Sequence, residues 1–443
     1  MLSTGVSSSS PAVCDHEEMA NERQERVLQV LPGQEHGPAV VVTRRAADRL
    51  RSGHLWVYRT DTESLIPSVG EEDLTAGALV TVIDGRGIPL GTGLYSASSQ
   101  IAVRMVSGEA KMSRQAYLEE TRGRIVAALA LREELSPFSQ ANDSCRLIFA
   151  EADALPGIVV DRYNDLVILQ LLAQGTAQPD IREVLTETIR EHFGDSIETI
   201  VERPDPRIRE LEELDAPATE PLWSGRDAKL TTVFTINGLR FNYDASAGQK
   251  TGAFLDQRLN YAAAASHAHG VALDICTYQG GFALHLAQNC ERVTGVDVSL
   301  AALEVADRNL LLNPALKAQV DWIEADAFEL LREYDATAQR FDTIVLDPPA
   351  FAKSKRAVEG ALRGYKEMNL RAMKMLRRGG TLVTCSCSHH VSREEFTGIV
   401  AAAAADARRR VQVLETRGAA PDHPEILTLP ETAYLKCLIC RVD

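Results

Sequence analysis

The 443-residue chain contains no apolar run near the roughly 18 residues that cross a bilayer as a helix, so no membrane span is expected. Its opening stretch, "MLSTGVSSSSPAVCDHEEMANERQER", has no basic segment followed by an apolar one, and no secretory leader is expected. Cysteine is sparse. The eight residues at 14, 145, 276, 290, 385, 387, 437 and 440 are too few for a disulfide scaffold and, without a leader, are expected to stay reduced. These absences point to a cytoplasmic protein. Positive charge is also in deficit: 47 Lys and Arg against 62 Asp and Glu leave a net charge of −15. That balance argues against a protein that coats nucleic acid without selectivity. The G-x-G-x-x-G fingerprint is missing too, which disfavours a nicotinamide dinucleotide.

Apolar residues make up 45% and charged residues 25%, a globular composition with length for about three domains. Residues 1–37, Ser-rich and then acidic, show no apolar period and are expected to be disordered. Residues 38–107 read as short strands between turns ("AVVVT", "ALVTVID", "PLGTGLYS", "QIAVRMVS"), a β-rich module. Residues 108–235 mix a helix at 111–135, the strand–turn–strand run "CRLIFAEADALPGIVVDRYNDLVILQLLA", and a helix at 179–193 with Asp180 as N-cap. The proline-punctuated "ERPDPRIRELEELDAPATEP" reads as a surface loop. From 236 to 443 strands and helices alternate, predicting a doubly wound, Rossmann-like α/β domain that closes on a hairpin in "ILTLPETAYLKCLICRVD".

Ligands of such sheets bind beyond the carboxyl ends of the strands. Asp274 ends the first strand of this domain, and "CTYQGG" leads into its first helix, with Gly280 and Gly281 allowing close backbone approach to a ligand. Asp297, sixteen residues after Gly281, ends the second strand and suits two ribose hydroxyls; Asp326 ends the third, suitably placed for an adenine edge. Acids on three successive strands with a glycine pair fit a nucleoside without phosphates, and S-adenosylmethionine is such a ligand. Any one of these aspartates alone is as readily a helix cap.

"VLDPPAFAKSK" follows the fourth strand. Pro348 and Pro349 stiffen this loop and remove two donors, leaving carbonyls and the Asp347 carboxylate to grip the polar edge of a base. Phe351 either stacks on that base or packs in the core. Residues 350–378 hold nine Lys and Arg, Lys353 and Lys355 among them, against two acids. This island is a solvated helix face or a phosphate-contacting surface.

Taken in order, "LRSGHLWVYRTD", "FAEADALPGIVVDRY", "GQKTGAFLDQR", "YQGGFALHLA", "VDVS", "LDPPAFAKSK", "GYKEMNLRAMKMLRRGG", "TCSCSHHVS" and "DHPEILTLPETAYLK" span most of the chain. With them it resembles the bacterial 23S ribosomal RNA large-subunit methyltransferases that join a PUA-like domain to a class I methyltransferase. The resemblance implies a PUA-like RNA-binding domain at 38–107, a central α/β domain at 108–235, and methyl transfer from S-adenosylmethionine to a base of 23S rRNA or of a large-subunit precursor. It implies cofactor contacts at Asp274, Tyr278, Gly280, Gly281, Asp297, Asp326 and Asp347, and substrate contacts at Pro348, Pro349, Phe351, Lys353 and Lys355. It leaves a homodimer open. Known members form 5-methylcytosine, and others with a similar "DPP-x-F-x-x-SK" stretch methylate guanine N7. Where the cofactor loop usually carries its first glycines, this chain has Cys276, Thr277 and Tyr278.

Two cysteines in "LVTCSCSHH" raise a separate question. Cys385 and Cys387 are too close for the C-x₂₋₄-C spacing of zinc, and no metal is expected. C5 of cytosine is a poor nucleophile until a thiolate adds to C6, which needs a cysteine at a strand end beside the base. RNA cytosine-5 and uracil-5 methyltransferases of related folds carry their nucleophile in a similar strand-end motif, and the resemblance implies Cys387 as the nucleophile and Cys385 as the backup, with Asp347 on the N3/N4 edge. Cys385 is expected to face the other side of the strand. Guanine N7 needs no covalent step, and in that case both cysteines pack. A protein that kept the fold but lost activity, acting as an RNA-binding assembly factor, is the reading from another class.

Overall fold

A computed structural model describes residues 28–34, 37–203, 205–215, 220–246, 253–352 and 354–443. Most of the expected N-terminal tail lies outside these residues. Its last part does not behave as a tail: Gln29–Val30 pairs in parallel with Thr62–Ile66 and adds a strand to the first sheet.

That sheet has seven strands, with Ala39–Val42, Thr62–Ile66, Leu79–Asp84, Pro89–Tyr95 and Ile101–Ser107 as its longer members. Val40, Val42, Val57, Val80, Val82 and Val103 form its core with Ala46 and Ala47 of the helix Arg44–Arg51. Thr43 starts this helix by accepting the Ala46 amide.

In the middle, the helix Arg114–Leu135 packs on a five-stranded sheet. Its strands Ile158–Tyr163 and Leu166–Leu171 are buried at every position, which explains why both read as unbroken apolar runs. Two expectations change here. Asp180 does not cap the helix Pro179–Phe193, whose N-cap is Gln178; its carboxylate instead takes a bidentate bond from Arg114 at 2.6 and 2.8 Å. The run read as a loop contains the helix Pro206–Glu212, started by the Asp205 side chain with proline in its first turn. Glu212 from this helix is buried against Ser96 (2.7 Å) and Arg104 (3.0 Å) of the N-terminal sheet.

A hairpin, Thr231–Ile236 with Leu239–Asp244, turns at Asn237 and Gly238, both left-handed as its twist requires. Phe234, Phe241 and Tyr243 join the core of the C-terminal sheet, so the expected division at 235/236 passes through one hairpin.

The last unit is a seven-stranded sheet. Its strands are β1 (Gly270–Ile275), β2 (Cys290–Asp297), β3 (Gln319–Glu324), β4 (Phe341–Leu346), β5 (Leu376–Ser386), β6 (Val411–Arg417) and β7 (Lys436–Val442). Their order is β3-β2-β1-β4-β5-β7-β6; the first five are parallel, and β7 runs antiparallel to both neighbours. The expected C-terminal hairpin is absent. β7 inserts singly between β5 and β6 because "KCLICRV" is buried at six of seven positions and needs cover on both edges. No helix among the described residues is long and apolar enough to cross a membrane.

Buried charge ties the middle unit to this sheet. Arg132, 0% exposed, grips Asp153 at 2.5 and 2.8 Å and donates to the Asp422 carbonyl at 2.9 Å. Asp422 in turn takes the Arg146 amide (3.0 Å) and lies 3.4 Å from Arg258. Removing one partner of such a pair strands the other in low dielectric. Arg132→Met should therefore lower the unfolding free energy by about 3–5 kcal/mol, read by urea denaturation.

Candidate active site

The carboxyl ends of β1 to β5 share one edge, and a cleft of about 1800 Å³ opens there between the three units. Tyr278, Asp297, Asp326, Asp347, Pro348, Pro349, Phe351 and Cys387 all line it. Asp274 does not. It is fully buried beneath the loop that follows β1, accepting the Thr277 hydroxyl at 2.6 Å through Oδ2, with the Ala283 amide also acting on the carboxylate. Burial pushes its carboxyl up to about 7.

The loop above it answers the missing glycines. Cys276 (φ 66°), Tyr278 (φ 51°) and Gly280 (φ 85°) are all left-handed, so the backbone keeps its shape although two of the three carry side chains. Holding those two costs roughly 1–2 kcal/mol each, which the Tyr278 amide offsets by donating to Asp297 at 2.9 Å. Packing alone already requires glycine at 281. A Cβ there would sit 2.6 Å from the Tyr261 ring. Gly280 and Gly281 shape the loop, and neither lies in the wall of the large cleft.

Asp297 uses one oxygen for Tyr278 and the other for the Ser299 amide at 2.9 Å, leaving further lone pairs on a carboxylate in the cleft wall. Asp326 does cap a helix, its Oδ1 taking the Phe328 and Glu329 amides, yet it is exposed in the same wall. Val298, 73% exposed beside Asp297, was missed in the sequence; an uncovered valine in a binding wall offers an apolar face for a flat ring. Carboxylates outnumber Lys and Arg around the cleft. Acceptors, an apolar face and an acidic wall together fit S-adenosylmethionine, a phosphate-free nucleoside with a cationic sulfonium.

The Asp347 loop follows β4, with the Asp347 amide bonded to Ile275 of β1 and Oδ2 accepting Gln257 Nε2 at 3.0 Å. Gln257 is buried, and its own oxygen takes Asn260 Nδ2 at 2.7 Å, which fixes which end of the amide faces Asp347. Pro348 is buried and Pro349 exposed. Phe351 packs against Tyr365 (4.7 Å) and Phe328 (5.8 Å) while touching the cleft. Lys355 is exposed, and Lys353 lies outside the described residues. Much of the basic island is neutralised locally: Lys366 pairs with Asp406, Arg371 with Asp335 and Glu367, and Arg377 with Asp342.

Cys385 and Cys387 separate for a reason other than the one expected. Residues two apart on a regular strand share a face. What divides them is the end of β5 at Ser386. Cys385 stays sealed in the core, cross-strand from Cys437, with burial holding its thiol far above the usual range. Cys387 turns out into the cleft, its Sγ 3.8 Å from the Pro348 carbonyl. The serines on either side pin this turn: Ser386 Oγ (3.0 Å) and Ser388 Oγ (2.9 Å) both meet the Tyr365 hydroxyl, and Ser388 Oγ also takes the Ala352 amide. Cys437 and Cys440 pack in cores on opposite faces of the sheet.

Comparison with known proteins agrees with this geometry. Residues 40–108 match the PUA-like domain family, and residues 210–441 match the S-adenosylmethionine-dependent methyltransferase family. Two solved structures share the fold, each with TM-score 0.75 and 17% identity, covering 91% of this chain and 100% of the other. One is titled a methyltransferase complexed with SAH, the other a SAM-dependent methyltransferase from Streptococcus mutans. Fold and site thus define an S-adenosylmethionine-dependent methyltransferase with an N-terminal PUA-like domain. Proteins named ribosomal RNA large subunit methyltransferase I are similar across nearly their whole length. That of Photobacterium profundum is 37% identical over 403 residues (89% of this chain, 96% of the relative), and that of Shewanella denitrificans 39% over 395 (89% and 96%). The chain belongs to the ribosomal RNA large subunit methyltransferase I family.

Two outcomes follow for the cofactor wall. Asp297→Ala should keep the fold and weaken S-adenosylmethionine binding by about 1.5–3 kcal/mol in calorimetry, the worth of hydrogen bonds to a charged group. Asp274 holds its proton in the folded state up to about pH 7, whereas the unfolded carboxyl releases it near 3.8. The folded state binds more protons in that window, so this group's contribution to stability falls as pH rises from about 4 to 7. Asp274→Asn should remove the loss, and its stability advantage over the wild type in urea should be larger at pH 8 than at pH 5.

Proposed function

We propose that this chain methylates C5 of a cytosine in 23S rRNA, through a transient bond from Cys387 to C6. The observation that carries the reading is the contrast between the cysteines: Cys387 opens onto the cleft beside the Asp347 loop, while Cys385 is sealed behind it. The names of its relatives supply the RNA class, and the PUA-like module at the cleft's far side supports a nucleic-acid substrate.

In this reading a cytosine enters between Pro348, Pro349 and Phe351, with Lys355 outside near its backbone. Asp347, held by Gln257, carries a proton to N3 while its other oxygen accepts the N4 amino group, so the ring becomes cationic and C6 electrophilic, and N3 returns the proton when the C6–S bond breaks. The Cys387 thiolate bonds to C6, and the displaced electron pair makes C5 nucleophilic. S-adenosylmethionine, when bound, supplies an electrophilic methyl group to that carbon. Loss of the C5 proton to a base then restores the ring and breaks the C6–S bond, returning the thiolate. Asp297, Asp326 and Tyr278 hold the cofactor, and the loop braced by Asp274, Gly280 and Gly281 shapes its seat.

Cys387→Ala should lose turnover by more than the roughly 100-fold that one ordinary hydrogen-bond contact explains, while still binding cofactor and RNA. RNA carrying 5-fluorocytosine should trap the wild type as a covalent adduct visible by mass spectrometry, and should not trap the variant. A fully active Cys387→Ala enzyme would overturn the covalent reading and assign the methyl group to guanine N7.

A further inference from the structure

Lys436 is the first residue of β7 and lies directly across from Ser386, one position before Cys387. It is 2% exposed. Its Nζ donates to the Ser388 carbonyl at 2.7 Å and to the Tyr434 carbonyl at 2.8 Å. An ammonium has three donors, and it forms no ion pair with a carboxylate among the described residues. Placing a positive charge so deep against neutral carbonyls alone is expensive. A packing role would be served as well by methionine, without that cost. The charge therefore calls for an anionic partner, and the cysteine that it borders is one whenever it ionises.

We propose that Lys436 is a positioning residue for Cys387, its buried ammonium fastening the 387–388 turn and stabilising the thiolate in the cleft. The proposal rests on the covalent reading of Cys387. The surrounding groups are consistent with it. Burial draws the Lys436 ammonium down to about 8, and Cys387 is the largest influence raising it again. Arg393 and Glu395 act on Lys436 with opposite signs. Tyr365 and Tyr434, which both feel Cys387, are pushed upward by burial and stay neutral, while Asp347, His389 and Glu431 share the cleft wall with the thiol. At neutral pH the lysine keeps its charge and the tyrosines add none. The ammonium also keeps its proton throughout the cycle, so it favours the thiolate both before attack and on expulsion from C6.

The test is the pH dependence of iodoacetamide alkylation at Cys387 in the full chain, read at residue level by tandem mass spectrometry so that Cys385 in the same peptide is scored separately. Lys436→Met should move the alkylation midpoint upward by about one pH unit or more and slow alkylation at pH 7 by about tenfold. Lys436→Arg, which keeps the charge, should hold the midpoint near that of the wild type. Lys436→Gln, with an amide that can still donate to a carbonyl, replaces the methionine variant should that one not fold, and the same shift is expected. An unchanged midpoint in a neutral variant with wild-type unfolding temperature and cofactor affinity overturns the proposal. A shifted midpoint combined with an active Cys387→Ala enzyme keeps the charge pairing and removes only the covalent reading beneath it.

Discussion

The parallel run of five strands is the constraint from which the rest of the site descends. Parallel pairing of β1 with β2 and β4, and of β4 with β5, brings every carboxyl end to one edge, whatever the sequence of the helices between. Asp297, Asp326, Asp347 and Cys387 are far apart along the chain, yet each follows or ends a strand on that edge. Once the register is set, no further device is needed to gather them. The antiparallel β7 then closes the sheet beside β5 and brings Lys436 alongside the thiol.

What lies beneath the edge is local reinforcement. The strained loop after β1 is held by Asp274 from below and by Asp297 from the side. The turn carrying Cys387 is held by Tyr365, Ala352 and Lys436. Gln257 holds Asp347. In each case a buried polar group with a fixed hydrogen-bond pattern orients a partly exposed one, so the reactive side chains need not be ordered by substrate. The buried contacts of Arg132 and Glu212 do the same at larger scale, joining the units that wall the cleft.

The sequence made the alternating strands and helices, the strand-end acids and the Asp347 loop legible, because strand ends carry compact signals of apolar runs stopped by Asp, Gly or Pro. Less of the supporting shell was visible. Gln257, Tyr365 and Lys436 act through tertiary contacts to residues 21 to 90 positions away, and no local pattern announces them. The helix Pro206–Glu212 was hidden by its prolines, although Asp205–Pro206 is itself a start signal. The basic island is a case where the chain shows only one side of the balance. Its charge excess is real along the chain, but the acids that answer it come from neighbouring elements. Cys385 and Cys387 do not face opposite sides of one strand as expected; the end of β5 at Ser386, and not the pleat, sets them apart.

The acidic wall of the cleft has a consequence for turnover. In the proposed seat the cofactor carries a positive sulfonium before the reaction, and the carboxylates of Asp297 and Asp326, which line the same cleft, would attract it. Methyl transfer leaves a neutral thioether, one positive charge poorer, while the wall is unchanged. The same side chains thus hold the spent cofactor less tightly than the fresh one, and the exchange of one for the other runs downhill electrostatically.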